Sequence, residues 1–423
     1  MNAAILFGFF FILIFLTVPV GYAVGVSMLL TLVITHSHVP LLMIAQNSIT
    51  GVNSFPLLAI PFFMLAGNLM SSGGIARRLV GFFDIFVGWM TGGLAIVTTL
   101  TCMFFGAISG SAVATTSAVG SFMIPSMEDR GYDKAFSAGL SASAGTIGVI
   151  IPPSVPFVIY GVVANQSITS MFKAGFLPGI SMGIALIIVS VLLSRKHGFK
   201  GNGKKYTFKE AVDVTKDAFF ALMSPIIILG GIYSGVFTPT EAAVVSCIYS
   251  ALVGKFVYKE LDGKGLYKAL KDAIVINGSS TFMVGISMAF AAYLAMEKVP
   301  TQLVNAITTV TSNKIIILLL INGMLLIIGC LIDNIPATII LTPILLPLVQ
   351  SFGMSPITFG IILTMNLAIG FVTPPYGVDL FVAQAISGVT MGQMIKYIKW
   401  FILALIAVLL LFTFCWPLTT FML

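Results

Sequence analysis

The sequence predicts an all-α integral membrane protein built as an inverted structural repeat, with two re-entrant hairpins and two broken helices. Three observations predict this fold class. Of the 423 residues, 58% are hydrophobic and 8% are charged, with a mean hydropathy of +1.09, a composition typical of membrane-spanning chains. Two apolar segments are each interrupted by a Pro-Pro pair. The pairs begin at Pro152 and Pro374, 222 positions apart.

The first interrupted segment, residues 145–154 (GTIGVIIPPS), cannot remain one continuous helix. Prolines lack an N–H group, so carbonyls near Gly148 and Val149 lose their helical partners. Inside lipid an unpaired carbonyl is costly, so such a break persists only beside a cavity, a neighbouring helix or a bound ion. Residues 370–375 (GFVTPP) repeat the same pattern in the second half. Paired broken helices indicate the central binding site of a transporter.

The elements of the first half follow from hydropathy in order. Apolar spans are predicted at 3–17, 20–36, 55–72 and 172–194. Residues 74–89 mix charged and bulky apolar side chains, which favours a helix lying along the membrane interface. Residues 90–127 are apolar but contain Ser109, Gly110 and Ser111 at their centre, which predicts a hairpin that turns at membrane depth. A broken helix then covers 135–164.

The second half repeats this plan, with a hairpin tip at Ile332-Asp333-Asn334. A near-constant offset over several landmarks argues for an internal duplication. The predicted organisation is scaffold helices and arm of repeat 1 (1–89), transport part of repeat 1 (90–194), a cytoplasmic linker (195–217), scaffold helices and arm of repeat 2 (218–313) and transport part of repeat 2 (314–423).

The distribution of basic residues predicts the orientation. If each half crosses the membrane five times and the linker is cytoplasmic, the exterior receives Lys173, Lys298 and Lys314, three of the 21 lysines and arginines, and the interior receives the other 18. This asymmetry follows the positive-inside rule and places both termini in the periplasm. The net charge of +7 is thus explained by topology within a lipid bilayer, and nucleic acid is not an expected partner.

The hairpin tips and helix breaks supply the candidate site. Hydroxyls and unpaired carbonyls are hard oxygen ligands that suit Na⁺, and the N-terminal ends of half-helices suit an anionic substrate. The alternative is that Ser109, Ser111 and the glycines serve close helix packing. The candidate substrate contacts, each beside a tip or a break, are Ser154, Asn334, Pro375 and Asp379.

Three acidic residues lie in strongly apolar surroundings, where carboxylates are costly and therefore functional candidates. Asp333 lies at a predicted tip and is the strongest of them. Asp379 follows the second break and is expected to face the same cavity. Glu241 follows Thr238 and Pro239, a pattern that favours a helix cap.

No catalytic residue or resident cofactor is predicted. The sequence contains no GxSxG, HExxH or Walker motif, so an intramembrane hydrolase, one alternative, lacks its motif. An ion channel is the other alternative, with the hairpin tips as a filter. Inverted repeats with broken helices favour alternating access over a permanent pore.

Several long motifs resemble the large membrane subunit of TRAP transporters, the DctM-like family, over nearly the full length. These motifs are FPLLAIPFFMLAG (55–67), SGSAVATTSAVG (109–120), IGVIIPPSVPFVIYG (147–161), GGIYSGVFTPTEAA (230–243), the region of Asp333, and TPPYG (373–377). The resemblance implies an elevator-type secondary transporter that imports an organic anion, of the sialic-acid or C4-dicarboxylate type, together with Na⁺.

The resemblance also implies the ion ligands. One Na⁺ site would be formed by Ser109, Ser111 and the carbonyls of residues 145–152, among them Gly145, Gly148 and Pro152; the other would be formed by Gly329, Asp333, Gly370 and Thr373. Some similar proteins carry an acidic residue where this chain has Thr115, so a role of that acid cannot transfer here.

The resemblance implies two protein partners and a location. The partners are a small four-helix membrane subunit, expected as a separate polypeptide, and a periplasmic substrate-binding protein. The implied location is the bacterial inner membrane, which the chain crosses several times. The substrate, the Na⁺ stoichiometry and the oligomeric state are not specified by the sequence.

Overall fold

The computed structural model describes residues 2–201, 203, 206–310 and 313–423. All regular secondary structure in this part of the chain is helical, and seven of its helices are long and apolar enough to cross a membrane. The predicted all-α membrane fold is confirmed. Three residues of the predicted linker (202, 204 and 205) and two near the end of the predicted scaffold segment 218–313 (311 and 312) lie outside the described residues.

The first half contains ten α-helices. They are α1 (Asn2–Phe15), α2 (Val20–Thr35), α3 (Leu41–Val52), α4 (Ala59–Ser72), α5 (Ile75–Val87), α6 (Gly93–Ser109), α7 (Ala112–Glu128), α8 (Lys134–Gly145), α9 (Val155–Val163) and α10 (Ile168–His197). Short 3₁₀ turns precede α4 at Phe55–Leu58 and follow α8 at Thr146–Val149.

The second half contains a further ten. They are α11 (Phe208–Tyr233), α12 (Pro239–Leu252), α13 (Gly263–Met296), α14 (Val299–Val310), α15 (Lys314–Leu331), α16 (Asn334–Ser351), α17 (Pro356–Gly370), α18 (Val378–Ser387), α19 (Met391–Phe414) and α20 (Pro417–Thr420). One π turn follows α12 at Val253–Val257.

The helix starts show the internal repeat. Ala112 and Asn334 begin the second arms of the two hairpins, and Lys134 and Pro356 begin the two broken helices; the members of each pair are 222 positions apart. The caps correspond as well, because Asp133 and Ser355 each accept backbone hydrogen bonds at the start of the broken helix. Such capping satisfies N–H groups that a helix start leaves free.

The packing of the transport parts is reciprocal between the halves. Helix α7 of hairpin 1 packs against α18, which follows the second break, and α16 of hairpin 2 packs against α9, which follows the first break. In the same way α8 packs against α19, and α17 against α10. Each hairpin is therefore held by a helix from the other half.

The remaining helices, most of which belong to the predicted scaffold segments, pack beside this unit. Helix α13 packs against α2, α3 and α4, and α4 packs against α12. Helix α13 also packs against α16, so the scaffold touches hairpin 2 directly. The amphipathic helix α5 packs between α6 and α11, as expected for an arm that borders the transport part.

Two features differ from the sequence expectations. Helix α3 was not expected, because its segment LLMIAQNSITGV is short and mixes amides with apolar residues. Helix α11 begins at Phe208, inside the segment expected to be linker, because Thr207 and Glu210 form a capping box there. Reciprocal bonds of this kind satisfy two free N–H groups and start a helix even in a polar segment.

Candidate functional site

Hairpin 1 turns sharply between α6 and α7. Gly110 has a φ of +62°, a left-handed conformation that glycine adopts without steric cost. A Cβ added there would also lie 2.8 Å from the carbonyl oxygen of Pro153. The Ser111 side chain caps α7 by accepting a hydrogen bond from the Ala114 N–H at 3.3 Å. Position 110 therefore needs glycine both for the turn and for the close approach of the first break.

Two side chains and one backbone carbonyl at this tip form a small polar cluster. The hydroxyl oxygens of Ser109 and Thr115 lie 3.0 Å apart. The Thr115 hydroxyl also donates to the carbonyl oxygen of Ser111 at 2.8 Å. Ser109 and Thr115 are fully buried and Ser111 is half-buried. The cluster thus collects hydroxyl and carbonyl oxygens at one point inside the protein.

The first break lies directly against this tip. The Val155 N–H, at the start of α9, donates to the Gly110 carbonyl at 3.2 Å. Inside the break, the Ser154 hydroxyl donates to the Val149 carbonyl at 2.6 Å. Gly148 is packed so closely that an added Cβ would lie 2.5 Å from Thr115 Oγ1. Tip and break of the first half are therefore one hydrogen-bonded unit, which includes Gly148.

Gly145 and Pro152 lie at different places along the first break. Gly145 ends α8 and packs against Thr116, where an added Cβ would overlap the threonine hydroxyl. Pro152 lies in the turn between Val149 and Ser154. The two breaks share one further feature, since the Pro152–Pro153 and Pro374–Pro375 peptide bonds are both cis.

The second tip lacks the hydroxyl cluster. Helix α15 ends at Leu331 and α16 begins at Asn334. Asp333 is in the N-cap position, yet its side chain accepts no capping hydrogen bond of standard geometry. The Asn334 amide oxygen accepts from the Thr338 hydroxyl at 3.0 Å. Its amide nitrogen, which is buried, has no hydrogen-bond partner among the residues that the structure describes.

The second break contacts its hairpin through glycine. Gly370 lies against the backbone of Gly329, and an added Cβ would overlap the Gly329 carbonyl group. The Thr373 hydroxyl donates to the Ile369 carbonyl at 2.7 Å, and Pro375 is exposed. Gly329, Gly370 and Thr373 therefore lie close together in the second unit.

Both tips reach one cavity of about 670 Å³. Of the predicted site residues, its wall includes Ser109, Ser111, Asp333 and Asn334. Three helices begin at this wall, namely α7, α9 and α16. Helix starts present N–H groups and the positive end of the helix dipole. These helix starts favour a negatively charged ligand, while the Asp333 carboxylate in the same wall favours a cation.

The opposite wall belongs to the scaffold and was missed by sequence reasoning. It includes Asn68 of α4 and Lys271 and Asp272 of α13. The Asn68 side chain donates to the Ala269 carbonyl at 3.4 Å, which connects α4 to α13. Sequence reasoning placed Lys271 in a cytoplasmic loop. The charged pair Lys271 and Asp272 lies in a helix that is apolar further along the chain, and this pattern could have indicated that the helix borders the cavity.

The other predicted site residues are not part of the cavity wall. They are Gly145, Gly148, Pro152, Ser154, Gly329, Gly370, Thr373, Pro375 and Asp379. Asp379 was expected to face the cavity, but its side chain is fully buried against α7 and α8. The reason is the reciprocal packing, which turns the first turn of α18 inward.

Glu241 has the structural role that the sequence favoured. Its carboxylate accepts from the Thr238 N–H at 2.8 Å, and its own N–H donates to the Thr238 hydroxyl at 3.3 Å. These two bonds form the capping box of α12. Each satisfies an N–H that the helix start leaves free, so this acid is accounted for by secondary structure.

A polytopic helical protein with two repeated hairpins meeting at one cavity belongs to the class of membrane transport proteins. The family can be stated as well. Residues 7–418 match the family model described as "Tripartite ATP-independent periplasmic transporter, DctM component". The chain belongs to this family, which is a family of transporter permeases and not of enzymes.

Relatives with different substrates match almost the whole chain. The isethionate TRAP transporter permease protein of Oleidesulfovibrio alaskensis is 44% identical over 97% of this chain, which spans 64% of that relative's length. The sialic acid TRAP transporter large permease protein of Vibrio cholerae is 38% identical, with 96% of each chain covered. The C4-dicarboxylate large permease protein of Pseudomonas aeruginosa is 38% identical, with 85% of this chain and 84% of the relative covered.

The fold also resembles a solved transporter of distant sequence. The crystal structure of the Alcanivorax borkumensis YdaH transporter superimposes with a TM-score of 0.61 and 14% identity, covering 88% of each chain. At this identity the likeness concerns the fold alone.

Proposed function

We propose that this chain is the large subunit of a Na⁺-coupled importer of an organic anion, working by an elevator movement of the transport part against the scaffold. One observation carries the proposal. Two hairpin tips, one from each half, and three helix starts line the same cavity of about 670 Å³ between transport part and scaffold. A site at the boundary of two bodies can be exposed alternately to the two sides of a membrane when one body moves.

The first Na⁺ site is proposed at the first tip and break, from Ser109, Ser111 and the carbonyls of residues 145–152. The cluster of Ser109, Thr115 and the Ser111 carbonyl supports this assignment, because its oxygens already converge. The Val149 carbonyl is a weaker candidate within this range, since it accepts the Ser154 hydroxyl. Hard cations prefer such uncharged and charged oxygen ligands.

The second Na⁺ site is proposed from Gly329, Asp333, Gly370 and Thr373. The close contact of the two glycines supports it, because it brings backbone carbonyls of hairpin and break together. Asp333 would supply a negative charge there. A carboxylate at membrane depth needs a compensating group, and no lysine or arginine occurs between Lys314 and Lys396.

The substrate is proposed to be a small organic anion bound at the cavity wall. The unpartnered amide nitrogen of Asn334 can donate to a carboxylate or sulfonate oxygen. The start of α16 at Asn334 adds the positive end of a helix dipole. Sialic acid, C4-dicarboxylates and isethionate, the compounds named for the relatives, define the range to test.

The proposed assembly contains two partners. They are a small four-helix membrane subunit and a periplasmic substrate-binding protein, in the bacterial inner membrane. The proposed orientation has a cytoplasmic linker and periplasmic termini, which rests on the 18-to-3 division of basic residues.

Reconstituted uptake tests this proposal. Proteoliposomes containing the chain and its small membrane subunit would be given the binding protein and each labelled anion, with an inward Na⁺ gradient or with choline replacing Na⁺. We expect uptake of one class of anion only with the gradient and the binding protein. Equal uptake in choline would contradict Na⁺ coupling, and single-channel currents would favour the channel alternative.

A further inference from the structure

Asp379 is an anomaly that the two proposed Na⁺ sites do not explain. It is the second residue of α18, and its side chain is 0% exposed. Its backbone N–H donates to the Phe371 carbonyl at 3.0 Å, so the main chain is satisfied. Neither carboxylate oxygen, however, has a hydrogen-bond partner of standard geometry among the described residues. Buried polar groups are normally hydrogen-bonded, and buried charges are paired or bind metal ions.

The group that faces this carboxylate comes from the other half of the protein. The Thr116 hydroxyl, on α7 of hairpin 1, lies beside Asp379. It is also fully buried, and within the described part of the chain it lacks a hydrogen-bond partner of standard geometry. Thr116 packs against Gly145, where no side chain could fit. Three oxygen atoms therefore converge, and the single O–H of Thr116 can serve only one of the two carboxylate oxygens.

The charged groups around Asp379 do not offset its negative charge. The titratable groups that interact with Asp379 are Asp333, which repels its negative charge, and the buried thiol Cys102. The packed helices α7, α8 and α19 carry the charged residues Glu128, Lys134, Lys396 and Lys399, and none of these four acts on Asp379. Two acids thus lie within electrostatic reach of each other, and the described residues around Asp379 supply no base.

Three kinds of group could compensate the Asp379 carboxylate. A basic side chain is excluded among the described neighbours by the contacts above. A proton would neutralise the carboxyl group, with the Thr116 hydroxyl as its neighbour, and the unfolding experiment below separates this case from a bound cation. A small cation can be ligated by both carboxylate oxygens and the Thr116 hydroxyl together, and it also offsets the repulsion from Asp333.

We propose that Asp379 and Thr116 bind a Na⁺ ion between the second break and hairpin 1. This inference rests on the proposed function and adds an ion to it. The site is distinct from the two tip-and-break sites, because its ligands come from α18 of one half and α7 of the other. Its ion can be held only when these two helices are packed together, so binding stabilises the transport part as one body.

Direct Na⁺ binding tests the site. Binding of ²²Na⁺ is measured on the full chain purified with its small membrane subunit, at constant pH and ionic strength set with choline chloride. We expect Asp379→Asn to bind one Na⁺ fewer per complex than the wild type. Thr116→Val should weaken one ion about tenfold or more, because it deletes a ligand of a charged group, whereas Thr116→Ser should bind as the wild type does.

The control is Asp129→Asn, the same chemical change at an exposed loop position, which should leave the number of ions unchanged. Thermal unfolding in choline chloride checks that each variant is folded. If Asp379→Asn does not fold, the comparison of Thr116→Val with Thr116→Ser tests the site instead.

The site is overturned if the wild type and the folded Asp379 or Thr116 variants bind the same number of Na⁺ ions with the same affinity. A pH-dependent unfolding transition that Asp379→Asn abolishes, with Na⁺ binding unchanged, would identify a proton and also overturn it. If the wild type binds no Na⁺ at all, the proposed Na⁺ coupling as a whole is refuted. This result differs from the one that overturns only the site at Asp379 and Thr116.

Discussion

The two tip-and-break units occupy equivalent positions but are built differently. In the first unit the tip and the break are joined by hydrogen bonds, with Ser109, Thr115 and Ser111 bonded to one another and Val155 bonded to Gly110. In the second unit the contact is made by glycine backbone, Gly329 against Gly370. Equivalent folds therefore do not imply equivalent chemistry. The first unit is organised by its own polar groups, while the second depends on close packing.

The difference also appears in the polar groups that remain unsatisfied. Near the second unit the groups without a partner of standard geometry among the described residues are an amide nitrogen, that of Asn334, and both carboxylate oxygens of Asp379, whereas near the first unit they are hydroxyls such as that of Thr116. Unsatisfied buried groups are costly. We therefore expect the second unit to depend on a bound ion or substrate for its order more than the first.

The largest expected effect is that of Gly370→Ala. Its Cβ would overlap the Gly329 backbone, which cannot rotate away, and overpacking of this kind costs about 3 kcal/mol or more. Gly148→Ala in the first unit meets the Thr115 hydroxyl at 2.5 Å and the Ser111 carbonyl at 2.9 Å. The threonine side chain can turn aside, so about 2 kcal/mol is expected. Thermal and denaturant unfolding of the purified proteins compares the two.

Gly323→Ala is the matched control for these glycines. It lies in α15, and no heavy atom comes within 4 Å of its added Cβ. Alanine is the better helix former by up to about 1 kcal/mol, so this variant should be neutral or slightly stabilised. A larger loss from Gly148→Ala than from Gly370→Ala would reverse the comparison.

Thr115→Val tests the hydrogen-bonded first unit. It removes the hydroxyl that contacts Ser109 and donates to the Ser111 carbonyl, and leaving these buried groups unpaired should cost about 2 kcal/mol. Thr115→Ser keeps the hydroxyl and should recover most of this loss. If both variants unfold at the wild-type temperature, hydrogen bonds do not organise the first unit.

Asp333→Asn tests whether the second unit uses charge. We expect a folded protein whose uptake requires about tenfold more Na⁺, the effect of losing roughly 1.4 kcal/mol of ion binding. The measurement is initial uptake rate against Na⁺ concentration at matched membrane expression. Wild-type Na⁺ dependence would leave Asp333 with a structural role.

The smallest effect is expected from a pair of equivalent threonines. Thr338 is the counterpart of Thr116, 222 positions later, and its hydroxyl donates to Asn334 at 3.0 Å. Thr338→Val should therefore lower the free energy of unfolding in Na⁺-free buffer by about 1 kcal/mol. Thr116→Val should change it less, because the Thr116 hydroxyl has no partner of standard geometry in the described structure. Equal losses would show that Thr116 has a protein partner in solution.

Sequence reasoning located the tips and breaks because glycine, proline and serine act locally. A proline pair removes its own N–H groups, and Gly110 permits its own turn, wherever the rest of the chain lies. The position of Asp333 at a tip was predictable for the same reason. These features together specify the repeat and its order of helices.

What could not be predicted depends on contacts between distant segments. Lys271 and Asp272 border the cavity because α13 packs against α16, some 60 residues further along the chain. Asp379 is buried because α18 packs against α7 of the other half. No local pattern near either site encodes the orientation of a partner helix that far away.

The reciprocal packing of hairpins and break helices also constrains biosynthesis. Hairpin 1 is complete at Glu128, but α18, the helix that packs on it, begins at Val378, about 250 residues later. At ribosomal rates of roughly 5–20 residues per second, about 12–50 s pass between the synthesis of the first hairpin and the synthesis of α18. During that interval the buried hydroxyls of Thr116 and Ser141 have no covering helix. Nascent chains that stop before Val378 should therefore be recognised by membrane quality-control proteases, whereas full-length chains should not.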